Sequence, residues 1–195
     1  MNINGKNIGI ALTGSYCTFD KVFPQIEELV KKKANVYTIF SEQTQITNTR
    51  FGSAADFLKK AKDITGNKPI TEIVDAEKLG PGNILDIIAI APCTGNTLAK
   101  LANSITDSTV LMASKGLLRN NKPLALAIST NDALSNNLKN LGLLINVKNI
   151  YFVPFSQDNY KEKPNSMVAN FDLLIPTIEH AFDGKQIQPL VLAPS

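Results

Sequence analysis

Two periods of hydrophobic spacing alternate along the chain. Asn7 to Thr13 is a short apolar run that closes on Gly14-Ser15, the pattern of a strand buried on both faces of a parallel sheet. Phe19, Val22, Phe23, Ile26, Leu29 and Val30 then recur at helical spacing and form a one-sided apolar stripe. Thr18 or Asp20 can cap that helix, and Pro24 falls early enough to be tolerated. Val36 to Phe40 predicts a second strand, residues from about 54 to 62 a helix, and Ile70 to Val74 a weak third strand. Leu79-Gly-Pro-Gly-Asn83 is turn chemistry. Ile84 to Ala91 is the strongest strand, apolar enough to be central, and Pro92 should end it. Helices are predicted from Thr97 to Ala102 and from Ser108 to Leu118, and a fifth strand from Leu124 to Ile128. Another helix is marked by Leu134, Leu138, Leu141 and Leu144. Ile150 to Val153 predicts a sixth strand, Gln157 to Ser166 a polar loop, and Asn170 to Phe182 a last helix.

Strands alternating with helices of this length imply an α/β fold with helices on both faces of a parallel sheet. Right-handed crossovers make it a three-layer, doubly wound, Rossmann-like sandwich with a mainly parallel six-stranded sheet. Residues 1–183 read as one domain. Residues 184–195 carry two prolines and little periodicity, and they predict an arm that packs on a neighbour or stays loose.

Composition narrows the function classes. The 195 residues are 44% hydrophobic and 19% charged, an ordinary globular balance. The net charge of +3 is spread out. Its densest run, Lys31-Lys32-Lys33, falls where a helix ends and suits the negative end of the helix dipole, so no nucleic-acid or membrane patch is expected. No apolar stretch approaches the ~20 residues of a membrane span, and residues 1–6 lack a signal-peptide core, which predicts a cytoplasmic protein. Cys17 and Cys93 should then be reduced thiols. Two cysteines and the single His180 are too few for a structural zinc site, and no metal is expected.

In doubly wound sheets, ligands bind beyond the carboxyl ends of the strands. Three loops open there: Thr13-Gly-Ser-Tyr-Cys17, Ser41-Glu-Gln-Thr44 and Ala91-Pro-Cys-Thr-Gly-Asn-Thr97. The first carries one glycine and precedes a helix, so it reads either as a phosphate cradle or as an ordinary strand-to-helix turn. It lacks the second and third glycines of a dinucleotide fingerprint. Ser41 and Thr44 offer hydroxyls, which equally suit a solvated turn. The small and amide-bearing residues of the third loop can offer partners to a flat heterocycle, and Thr94 or Asn96 can also cap the following helix. Cys17 and Cys93 both fall just past strand ends. They read either as space-filling residues or as redox or substrate-contacting groups.

Ala91-Pro-Cys-Thr-Gly-Asn-Thr-Leu-Ala-Lys-Leu-Ala-Asn-Ser-Ile-Thr-Asp107 resembles the Ala-Pro-x-x-x-Asn-Thr-x-Ala-Lys-x-Ala-x-Gly-x-x-Asp signature of the homo-oligomeric flavin-containing Cys decarboxylase superfamily. Ser104 stands where that signature has glycine. Within the superfamily the chain is most similar to the group formed by the B subunits of the dipicolinate synthases. The likeness is carried by Ile8 to Phe19, Arg50-Phe-Gly52, the central motif, Lys122 to Asp132, Tyr151 to Asp158 and Lys163 to Met167. The resemblance implies a flavoprotein fold and an FMN pocket using Gly14, Ser15, Ser41, Pro92, Thr94, Asn96, Thr97 and Ser129. It implies an A-subunit partner with an NADP site, and joint oxidation of the dicarboxylate dihydrodipicolinate to dipicolinate in the mother cell of a sporulating bacterium. It also implies a homo-oligomer, trimeric or dodecameric.

Departures bear on the chemistry. The decarboxylases carry a histidine before the central strand, and Thr71 to Leu85 contains none. The flavin prenyltransferases resemble Leu117 to Leu126, but their Arg-Glu-Thr-Pro after that strand is replaced here by Ser129-Thr-Asn-Asp132. A flavin prenyltransferase-like enzyme and a non-catalytic scaffold remain the alternative readings. Lys100, Lys115 and Arg119 are the candidate partners for substrate carboxylates.

Overall fold

The computed structural model describes residues 3–193. Strands β1 (Asn7–Leu12), β2 (Asn35–Phe40), β3 (Ile87–Cys93), β4 (Leu124–Thr130) and β5 (Ile150–Phe152) run parallel, in the order β2-β1-β3-β4-β5. Every residue of β3 is buried, as its unbroken apolar run requires of a central strand. Helices α1 (Phe19–Lys31), α2 (Glu42–Ile46), α3 (Ala54–Thr65), α4 (Ile73–Lys78), α5 (Gly95–Ala102), α6 (Thr109–Arg119) and α7 (Leu138–Leu144) connect them, and α8 (Leu174–Phe182) follows the last strand. α1 and α8 pack on one face of the sheet, while α6 crosses β2, β3 and β4 on the other. α1 buries Phe19, Val22, Phe23, Ile26 and Leu29, the stripe read from the spacing. Its carboxyl end is the lysine run, with Lys33 in the left-handed conformation that stops the helix.

The α/β class and the covered parallel sheet are as the sequence implied, with three differences. Among the described residues the sheet has seven strands rather than six. Beyond the parallel five, β6 (Phe155–Gln157) and β7 (Met167–Ala169) form a short antiparallel pair, and β7 joins the end of β4 through Ser129 and Thr130. The strand expected over Ile70 to Val74 is not formed. Ile70 alone bridges to Ile39, and α4 begins at Ile73, where burial of Ala76 favours helix over an edge strand. Pro92 does not end β3. A register shift between Ile90 and Cys93 sets an extra residue of β3 against β4, and Pro92, with no N–H to offer, sits in that bulge.

Beyond Gly184, residues 185–193 run along their own chain. Gln186 exchanges hydrogen bonds with Phe152, and the Phe155 N–H donates to the Leu190 carbonyl at 3.1 Å.

Candidate functional site

Parallel strands place the ends of β1, β2, β3 and β4 on one edge. The loops there are tied to one another. The Thr13 hydroxyl donates to the Pro92 carbonyl at 2.7 Å, and the Thr94 N–H donates to Thr13 Oγ1 at 3.1 Å. These two bonds lock the β1 loop to the β3 loop. Ser15 and Ser129 share a hydrogen bond of 2.7 Å that reaches from the β1 loop to β4. Ser41 and Thr44 are paired at 3.2 Å after β2, and the Thr44 hydroxyl also donates to the Ser41 carbonyl. Thr94 caps α5 by accepting from the Thr97 N–H, and the two threonine hydroxyls lie 3.0 Å apart. Thr94, not Asn96, is therefore the cap, and the exposed Asn96 side chain has no hydrogen bond among the described residues.

Two chambers meet at Gly14, Thr94 and Asn96. The larger, of about 760 Å³, extends toward β4 and the β6–β7 pair and is lined by Ser15, Cys17, Lys21, Ser129 and Asp132 among others. The smaller, of about 510 Å³, extends toward β2 and is lined by Ser41, Thr97, Lys100 and Ser108 among others. Seven of the eight residues expected around a flavin face one chamber or both. Pro92 faces neither. It is buried, and its contribution is the carbonyl that holds Thr13.

Gly95 is where the start of α5 meets the chain at the end of β4. A Cβ there would stand 2.5 Å from Asp132 Oδ1 and 2.7 Å from both Asn137 Nδ2 and Thr130 Oγ1. The Asp132 carboxylate accepts from the Thr130 hydroxyl at 2.6 Å and from the Asn137 amide at 2.7 Å. Only a glycine lets α5 start against that carboxylate.

The two cysteines part company. Cys17 is exposed and lines the larger chamber, with its sulfur 3.8 Å from Ser15 Oγ. Cys93 is fully buried in the core and lines neither chamber, and burial pushes its thiol up to about 12. Cys93 therefore packs in the core and not in the cleft, as its space-filling reading has it.

The expected carboxylate partners also separate. Lys100 faces the smaller chamber but is paired with Asp107 at 2.8 Å and 3.0 Å, which holds the Asp107 carboxyl below its ordinary range. Lys115 and Arg119 line grooves along α6, outside the cleft. His180 is exposed on α8, within hydrogen-bond distance of the Pro176 carbonyl. Among the described residues, no group of three His, Cys, Asp or Glu side chains converges to hold a metal, and no helix is long and apolar enough to cross a membrane.

Sequence reasoning missed Lys21, Asp132, Asp158, Lys163 and Ser166 as cleft residues. The polar segment before β7 carried the signal. It folds back over the cleft, where the Leu134 N–H donates to the Asn165 carbonyl and Ser166 donates to the Thr130 carbonyl.

A doubly wound sheet with this strand-end cleft defines a class, and residues 1–172 match the Flavoprotein family, to which the chain belongs. It is 53% identical over 191 residues to the B subunit of dipicolinate synthase from Bacillus subtilis (strain 168), covering 98% of this chain and 96% of that one. The crystal structure of the B subunit of dipicolinate synthase from Bacillus halodurans C superposes with a TM-score of 0.92 at 47% identity, over 100% of both chains. The dodecameric FMN-dependent Ubix-like decarboxylase from Escherichia coli O157:H7 shares the fold at 19% identity, with a TM-score of 0.62 over 76% of this chain and 79% of that one.

Proposed function

We propose that the chain is the B subunit of a dipicolinate synthase, which oxidises dihydrodipicolinate to dipicolinate together with an A subunit in a sporulating bacterium. The observation that carries the reading is 53% identity over 98% of the chain to a dipicolinate synthase B subunit. The A subunit supplies NADP, since this chain has no dinucleotide fingerprint in its first loop. Assembly into closed trimers or dodecamers fits the symmetry habits of soluble oligomers.

The cleft suits a flavin mononucleotide. Ser15, Ser41, Thr94, Asn96, Thr97 and Ser129 present hydroxyl and amide groups that can hydrogen-bond a phosphate and a ring. Gly14 leaves room, since a Cβ there would meet only Tyr16, at 3.7 Å. Those residues and Gly14 would hold the group, with Pro92 fixing the loop through Thr13. When bound, the flavin supplies two-electron redox chemistry. Thr13, Thr94 and Ser129 keep the walls rigid through their hydrogen bonds, so the cleft is formed before any ligand arrives.

The test is reconstitution. The A subunit, NADP and dihydrodipicolinate are assayed for dipicolinate with and without this chain. A rate that rises with added chain to a plateau is expected. An A subunit that turns over equally fast alone would overturn the reading.

A further inference from the structure

Resting on the proposed function, we infer that Lys21 anchors a carboxylate of the dicarboxylate substrate in the larger chamber. That chamber holds two acids and two lysines. Asp132 is satisfied by the Thr130 hydroxyl and the Asn137 amide. Asp158 and Lys163 neutralise each other at 3.2 Å, and Ser166 takes a further bond to the same Asp158 oxygen. Lys21 alone of the four has no hydrogen-bond or ion-pair partner among the described residues.

Its placement on α1 sharpens the point. Lys21 lies in the first turn of a 13-residue helix, where the helix dipole disfavours a cation, and no ion pair joins it to Asp20 in the same turn. Lys21 is exposed on the chamber wall, so an anion entering the cleft can pair with it without breaking an existing ion pair. The other cations considered are committed or remote. Lys100 is held by Asp107, and Lys115 and Arg119 face the grooves along α6. Within this chamber the ammonium group can give a carboxylate of the planar ring one charge-assisted contact. Lys21 thus sets affinity for the anion and takes no part in the transfer of electrons.

The experiment uses the complex of the A subunit with this chain. KM and kcat for dihydrodipicolinate, and calorimetric binding of dipicolinate, are measured for wild type, Lys21→Gln, Lys21→Arg and Lys148→Gln. Lys148 is exposed in the turn before β5, at the opposite edge of the sheet. Lys21→Gln should raise KM and weaken dipicolinate binding by about tenfold, with kcat nearly unchanged. Lys21→Arg should restore most of the loss, and Lys148→Gln should match wild type. Equal KM and equal binding in wild type and Lys21→Gln would overturn the inference, as would a wild-type complex that binds no dipicolinate at millimolar concentration. A wild-type complex that binds dipicolinate but never forms it strikes the functional reading instead, and the binding comparison then decides the anchor by itself.

Discussion

The hydroxyls of Ser15 and Ser129 lie 2.7 Å apart and join the loop after β1 to the end of β4, across the intervening β3. Ser129 is buried, so the bond forms under partial exclusion of water. Ser129→Ala leaves the Ser15 hydroxyl to find a partner in the cleft. A loss of about 0.5–1.5 kcal/mol in stability is expected, read as a lower urea midpoint at unchanged slope. FMN affinity should fall with it. An unchanged midpoint and unchanged affinity would show that the bridge carries no weight.

Gly95→Ala should be costly although alanine favours helix. The new methyl would meet three polar atoms closer than 3.0 Å, and all three belong to side chains fixed in one network. The overpacking outweighs a helix-propensity gain of about 1 kcal/mol and leaves a net loss of about 1–2 kcal/mol. Chemical denaturation measures it. An alanine variant as stable as wild type would mean that Asp132 moves aside freely.

Thiol chemistry separates the two cysteines. A neutral alkylating or disulfide reagent should label Cys17 in the native chain and both cysteines in denaturant. Cys93 also imposes a pH dependence. Its pKa is raised from 9.0 to about 12 by burial, so between those values the unfolded state has lost a proton that the folded state keeps. Stability from this group is complete below pH 9 and declines above it, by at most about 1.4 kcal/mol per pH unit. Cys93→Ala should flatten the stability profile in that window. Two native labels per chain would contradict the burial of Cys93.

Thr38 in β2 is fully buried, and its hydroxyl has no partner among the described residues. Thr38→Val keeps the shape and removes an unsatisfied polar group. A gain of about 1 kcal/mol in unfolding free energy is expected. A clear loss would reveal a partner for the hydroxyl in solution.

The sequence disclosed long elements well and short ones poorly. The stripe of α1 and the buried run of β3 each span enough residues to display a period. The three-residue strands β6 and β7 do not, and they flank the polar segment on either side. Ile70 to Val74 looked extended because its β-branched residues dominate, but the sheet edge offered only Ile39 as a partner. The loops ending β1, β2 and β3 were legible because parallel topology sends them all to one edge. What stayed hidden depends on distant partners. Glu42 accepts from both the Thr109 N–H and hydroxyl at the start of α6, and Asp132 packs on Gly95. No local spacing announces a contact that closes through the fold.

The most direct measurement of the central claim, that the strand-end cleft is a working flavin site, is an equilibrium titration of the purified chain with FMN, followed by flavin fluorescence. Asn96→Ala is the comparison, since the Asn96 amide faces both chambers and its removal disturbs no bond within the described residues. The account predicts saturable binding by wild type, weakened by about tenfold in Asn96→Ala with the thermal transition unchanged. Absence of saturable binding by wild type, or equal affinity in the two proteins, would contradict it.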